Sequence, residues 1–114
     1  METCVFCRIA AGEIPATVLH ADDELVAFRD INPQAPIHFL IIPREHVPSI
    51  LDLDEAHDRL VGRILRLAAS LARDLGIAET GFRVVANSGA DAGQSVGHIH
   101  FHVLGGRSLA WPPG

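Results

Sequence analysis

The sequence predicts an α+β fold. It is read as one domain, residues 1–114, with an antiparallel sheet of about five strands, one long helix and a short N-terminal helix. Three observations lead there. Short runs of β-branched, aromatic and other apolar residues, bounded by Gly, Pro, Asp and Asn, recur at strand length. Residues 52–75 instead place apolar side chains at three- and four-residue steps, the helical period. The order is helix, three strands, long helix, two strands. Strands and helices do not alternate one for one, as the crossovers of a parallel sheet require.

Cys4-Val5-Phe6-Cys7-Arg8-Ile9-Ala10-Ala11-Gly12 reads as the short helix, ended by Gly12. Its Cys4-x-x-Cys7 pair is open to three readings. A redox pair would follow a strand and open a longer helix. Half of a zinc site would need two more ligands from elsewhere. Two small core residues are the third reading. Glu13-Ile14-Pro15 then breaks the chain. Thr17–His20 and Glu24–Arg29 form a hairpin about the turn Ala21-Asp22-Asp23. Asp30–Pro36 is a loop with two prolines, and Asp30 reads first as a turn-capping residue. Ile37–Pro43 is a strand apolar on both faces apart from His38. Arg44-Glu45-His46-Val47-Pro48 is an exposed turn, in which His46 reads as solvated.

The long helix is expected over Asp52–Leu75, with Asp52 as cap and Glu55 completing a capping box. Leu53, Ala56, Leu60, Ile64, Leu67, Leu71 and Leu75 make its apolar stripe, and Arg59, Arg63, Arg66 and Arg73 lie off it. His57 falls on the polar side, without a role. Gly76 ends the helix. Gly81–Asn87 is the next strand, and Ser88–Ser95 is a glycine-rich loop. His98-Ile99-His100-Phe101-His102 follows, with histidines at period two. On a strand they share one face, with roughly 7 Å between successive Cα atoms. Ile99, Phe101 and Val103 take the other face and enter the core. The tail Arg107–Gly114 is too rich in proline for regular structure, and its Trp111 reads as a docking residue for a partner subunit.

Composition narrows the classes of function. Hydrophobic residues make up 48% and mean hydropathy is +0.25, enough for a core. Net charge is −5, and the nine basic residues, all arginine, form no stripe, so a nucleic-acid partner is not expected. No apolar run approaches the ~18 residues of a membrane span, and the N-terminus shows no secretory leader. The expected location is the cytoplasm.

A neutral imidazole suits nucleophilic attack on phosphorus, because its ordinary pKa of about 6.5 leaves a lone pair at neutral pH. His100, the central ring, is the best-placed nucleophile. Gly93-Gln94-Ser95 can offer backbone N–H groups and a hydroxyl to phosphate oxygens. Three histidines on one face could equally hold a zinc ion. On spacing alone the nucleophile and the metal site stand level, with a merely polar strand face close behind.

A wider pattern separates them. His-Ile-His-Phe-His-Val-Leu at residues 98–104 resembles the signature of the histidine triad family. Asp30-Ile31, Pro36–Pro43, Gly93-Gln94-Ser95 and Trp111-Pro112-Pro113-Gly114 resemble it too, and the tail with Leu104-Gly105-Gly106-Arg107 is similar to the Hint branch of purine nucleoside phosphoramidases. The resemblance implies a HIT-like dimer in which His100 attacks the α-phosphorus of a nucleoside 5′-phosphoramidate or acyl-adenylate. His102, Gln94 and Ser95 would contact the phosphate and help the amine leave, with His98 and His38 in the catalytic set. Asp30 would bind the ribose hydroxyls, Phe28 and Ile31 would line the purine pocket, and Asn87 and Gly93 would complete the nucleotide site. A purine nucleotide and a second copy of the chain are the implied partners. The resemblance also implies a structural zinc held by Cys4, Cys7, His46 and His98, with no metal in the chemistry itself. Within the family, a dinucleoside polyphosphate hydrolase is the other activity, and a nucleotide-binding scaffold with little turnover is the non-enzymatic reading. Gly97 departs from the family pattern, where a bulky residue is common.

Overall fold

The computed structural model describes residues 3–114. Helix α1 spans Val5–Ala10, and strands β1 (Val18–Ala21), β2 (Leu25–Arg29) and β3 (Ile37–Pro43) follow. Helix α2 spans Asp58–Asp74, then come β4 (Phe82–Val85) and β5 (Phe101–Gly105). The five strands form one antiparallel sheet in the order β1-β2-β3-β5-β4. The predicted fold class is the observed one.

Strand alternation builds two layers on this sheet. Leu25 and Ala27 of β2, Phe39 and Ile41 of β3, and Phe101 and Val103 of β5 face α2, which answers with Leu60, Ile64, Ala68, Leu71 and Ala72. Each such large side chain taken from water contributes about 2 kcal/mol of transfer free energy. The intervening residues Val26, Phe28, Leu40 and Ile42 form a smaller cluster with Phe6 of α1 on the opposite face. That second face holds the histidines. Arg44 ties it down at one end, donating to Asp22 O and to Ala10 O, both at 2.7 Å.

Two expectations are corrected. The long helix begins at Asp58, not Asp52. Residues Ile50–Asp52 and Glu55–His57 are separate 3-10 turns, with Leu53 extended between them so that its side chain reaches the core. The capping box belongs to the second of these turns: the Asp54 carboxylate accepts from Ala56 N–H, and His57 Nδ1 accepts from Asp54 N–H at 3.1 Å, while α2 itself starts after His57 without a side-chain cap. A histidine thus occupies the position where the pattern expects Glu or Gln. Asp52 instead accepts from the Ser49 hydroxyl, and Ala56, assigned to the apolar stripe, is exposed. Gly76 does end the helix, with φ +78°.

The second correction concerns the histidine segment. Its hydrogen-bonded strand starts at Phe101, so only His102 of the three lies within β5. The β3–β5 register places Pro43 opposite Ile99, and proline has no N–H to continue the ladder. Ile99 N–H turns to Val47 O instead, at 2.7 Å. The alternation survives without the ladder: Ile99, Phe101 and Val103 all enter the α2 core.

Candidate active site and metal centre

The face opposite α2 opens into a cleft of about 390 Å³. Its apolar walls come from Phe6 and Ile9 of α1, Phe28 of β2 and Ile31 of the following loop, and its polar groups include Asp30, Ser95, His100 and His102. Ile31 is 98% exposed, a large apolar side chain standing free at the rim. The structure therefore brings Phe28, Asp30, Ile31, Ser95, His100 and His102 into one place. His38, on β3, lies buried behind them.

Fixed backbone groups decide where each imidazole carries its proton. His100 Nδ1 lies 2.8 Å from the carbonyl oxygen of His98, which can only accept. The proton is therefore on Nδ1 and the lone pair on Nε2. At His38 the logic runs the other way. The Gln34 N–H donates to His38 Nδ1 at 3.0 Å, so the His38 proton sits on Nε2. That Nε2–H lies 3.0 Å from His102 Nδ1, which accepts, so His102 carries its own proton on Nε2. Asp30 Oδ2 stands 3.4 Å from His38 Nε2. The result is one bare Nε2 on His100 beside one protonated Nε2 on His102, with the two rings 5.0 Å apart.

Both supporting rings are held neutral. Burial pushes His102 down to about 4, and the neighbouring His100 and His38 add to that against a small opposing pull from Asp30. Burial also lowers His38, again opposed by Asp30. At neutral pH His102 is thus a hydrogen-bond donor rather than a cation. The Phe6 ring stands edge-on to His100 at 5.0 Å and to Phe28 at 5.6 Å, walling the His100 side with apolar surface.

The third histidine faces away from the cleft. His98 Nε2 donates to Pro43 O at 2.8 Å, which leaves its Nδ1 bare. That atom lies 3.3 Å from Cys4 Sγ, 3.5 Å from Cys7 Sγ and 3.2 Å from His46 Nδ1, and Cys7 Sγ is 3.3 Å from His46 Nδ1. Two sulfurs and two nitrogens so arranged can hold a metal ion. Around a tetrahedral ion at zinc-like bond lengths, N–N and S–N edges are about 3.3 and 3.5 Å, and these four distances match them to within a few tenths of an ångström. The fully buried His98 ring is held down by burial first, which keeps it a neutral ligand. Burial raises Cys7, the Cys4 sulfur adds to it, and a cation between them reverses that effect.

Asp30, His38 and His102 also converge. They are a hydrogen-bond relay rather than a ligand set. A metal on His38 Nε2 forces the proton onto Nδ1, against the Gln34 N–H.

Other expected site residues sit elsewhere. Asn87 lines a separate groove with Arg83, Asp91 and Trp111. Gly93 turns the loop with φ +78°. The Gln94 side chain braces that loop, donating to Pro48 O and Val96 O and accepting from Gly89 N–H. Trp111 is 82% exposed. Sequence reading missed Phe6 and Gln34. Phe6 stands in a short helix with no signal beyond being apolar, and Gln34 acts through its backbone, which no residue type announces.

The arrangement has known counterparts. A family model described as the HIT domain matches residues 11–109. An uncharacterized HIT-like protein of Synechococcus elongatus is 45% identical over 113 residues, covering 99% of this chain and 98% of that protein. The crystal structure of a HIT family hydrolase from Legionella pneumophila superimposes with a TM-score of 0.97 at 51% identity, covering 98% of this chain and 100% of that one. A histidine triad nucleotide-binding protein from Candida albicans gives a TM-score of 0.82 at 32% identity, with 96% and 83% covered.

Proposed function

The chain belongs to the HIT domain family, and on that premise we propose that it hydrolyses the P–N bond of purine nucleoside 5′-phosphoramidates. The observation that carries this reading is the proton placement on His100: Nδ1–H on the His98 carbonyl, and a lone pair on Nε2 beside the cleft. The names of relatives, a hydrolase and a nucleotide-binding protein, agree with it.

The purine lies between Phe28 and Ile31 in the apolar part of the cleft, and the Asp30 carboxylate accepts from the ribose hydroxyls. Gly93 and Gln94 shape the loop that brings Ser95 to the cleft. The α-phosphorus then meets His100 Nε2. Attack forms an N–P bond and breaks the bond to the amine, leaving a nucleotidyl-His100 adduct. His102 Nε2–H donates to a phosphoryl oxygen, where charge grows in the transition state. Ser95 gives its hydroxyl proton to the departing nitrogen, so the amine leaves neutral, and recovers a proton from the water that enters next. Water then releases the nucleoside monophosphate from His100. An acyl-adenylate fits the same sequence of steps.

Cys4, Cys7, His46 and His98 hold a structural zinc, which fastens α1 to the sheet and takes no part in bond-making. We place the protein in the cytoplasm as a homodimer, with Trp111 directed at the second copy. The test is turnover of adenosine 5′-phosphoramidate, with quenched samples examined for a nucleotidyl group on residue 100. Faster turnover of diadenosine polyphosphates moves the chain to a sister activity. Tight AMP binding without turnover makes it a nucleotide-binding scaffold. Light scattering reads the dimer.

A further inference from the structure

Arg107 stands just past β5, outside the cleft. Gly106 precedes it with φ +90°, and a Cβ there would lie 3.0 Å from Pro36 Cβ, so this turn packs directly on the Asp30–Pro36 loop. The closeness brings the guanidinium over that loop. Arg107 Nε and Nη2 both donate to the Gln34 carbonyl oxygen, at 3.2 and 2.9 Å, and Nη1 donates to Ser108 O at 2.9 Å. Gln34 is also the residue whose N–H reaches His38 Nδ1 at 3.0 Å. One residue is gripped from outside by its carbonyl and aimed inward by its amide.

We propose that Arg107 is a positioning residue: by holding the Gln34 carbonyl, it keeps the Gln34 N–H on His38 Nδ1 and so fixes the ring tautomers of His38 and His102. The two neutral forms of an imidazole lie close in free energy, so a single hydrogen bond decides between them. Three links transmit the choice. Gln34 N–H fills His38 Nδ1, His38 Nε2–H fills His102 Nδ1, and His102 is left with a donor at Nε2. Released from Arg107, the loop drifts and His38 also takes its proton on Nδ1. His38 Nε2 then accepts from a His102 Nδ1–H. His102 turns a bare nitrogen toward the cleft, where a phosphoryl oxygen requires a donor. The same loop closes on itself through Asp30 Oδ1 and Asn32 N–H at 2.8 Å and through Gln34 Nε2 and Asn32 O at 3.0 Å, so local bonds preserve its fold while Arg107 sets its distance from His38.

The kinetic half of this inference rests on the proposed donor role of His102; the tautomer half does not. The experiment therefore compares wild type, Arg107→Ala and Arg107→Lys by ¹⁵N ring spectra of the substrate-free protein, by steady-state kinetics on adenosine 5′-phosphoramidate, and by thermal melts. Wild type is expected to show a bare Nδ1 and a protonated Nε2 in both His38 and His102. Arg107→Ala is expected to show mixed tautomers in both rings and kcat about tenfold lower, short of the 10²–10³ lost when an oxyanion donor is deleted outright. KM changes less than kcat. Arg107→Lys retains one donor to the carbonyl and recovers the wild-type ring pattern. Unchanged ring spectra in Arg107→Ala overturn the proposal, whatever the activity does. A wild type that shows the expected tautomers but turns over no phosphoramidate overturns the proposed reaction instead.

Discussion

His98 holds His100 by its backbone and faces the two cysteines with its ring. Its carbonyl oxygen accepts the Nδ1–H of His100 at 2.8 Å, while its own Nδ1 lies 3.3 Å from Cys4 Sγ. One residue therefore belongs to both centres. Any displacement of the His98 ring is felt by the carbonyl that fixes the proton on the proposed nucleophile. The metal-binding set and the cleft share a wall as well, since Phe6 lies between Cys4 and Cys7 in sequence and against His100 in space.

Replacing His100 by alanine removes the bond-forming nitrogen. Turnover of adenosine 5′-phosphoramidate is expected to fall by roughly 10³-fold or more, on the scale of losing a covalent nucleophile. AMP affinity should change far less, because Phe28, Ile31 and Asp30 remain. Parallel steady-state kinetics and calorimetric titration with AMP make the comparison, and near-equal losses in both would refute the role.

Metal stoichiometry distinguishes the two convergent clusters. Purified protein is expected to carry one zinc per chain by elemental analysis. Cys4→Ser should lower that content and the melting temperature together, because a metal held by the four residues would tie α1 to the sheet. Asp30→Asn should leave the content unchanged, since the relay of Asp30, His38 and His102 is not a ligand set.

Stability should fall as the solution becomes acidic. His102 has a folded pKa of about 4, below its ordinary value of 6.5, and His38 is lowered too. A lowered histidine means that the unfolded chain binds more protons than the native one at acidic pH. The stabilisation is complete above about pH 6.5 and is lost as pH drops toward 4. With the ring only partly buried, screening by solvent limits the effect to the order of 1 kcal/mol. Urea midpoints at pH 7 and 5, compared between wild type and His102→Gln, read it; the variant should show the shallower slope. An equal slope in both would count against the buried neutral ring.

The cap of the Glu55–His57 turn that leads into α2 can be checked directly. Asp54→Ala should cost about 1 kcal/mol, the usual loss for an N-cap carboxylate, while Asp52→Ala should cost clearly less. Asp54 binds Ala56 N–H at 2.9 Å and its own N–H goes to His57. Asp52 only receives the Ser49 hydroxyl. Chemical denaturation of the two variants settles the order.

What the sequence made legible follows the range of each interaction. Period two over residues 98–103 is a local signal, and the split between core and cleft faces came out as read even where the β-ladder had stopped. Pro43 ends that ladder from the far side of α2 in sequence, a pairing that local pattern does not contain. The start of α2 was misplaced because Glu55 stands three residues after Asp52, the right spacing for a box that His57 in fact completes for Asp54. His46 reads as solvated from its turn alone. Only the resemblance to a family grouped it with Cys4, Cys7 and His98, and the folded chain does bring the four together. Gln34 could not be found at all by residue type, because both of its decisive bonds are made by the main chain.

Helix α1 gives the cleft a beginning-to-end dependence. Phe6 and His100 touch although 94 residues separate Cys4 from His98 beside them. The ring proposed to react has no finished surroundings until β5 has closed on α1. A ribosome-bound chain lacking β5, or a clipped one lacking its first ten residues, would be inert rather than partly competent. Specific activity in a preparation then counts complete molecules.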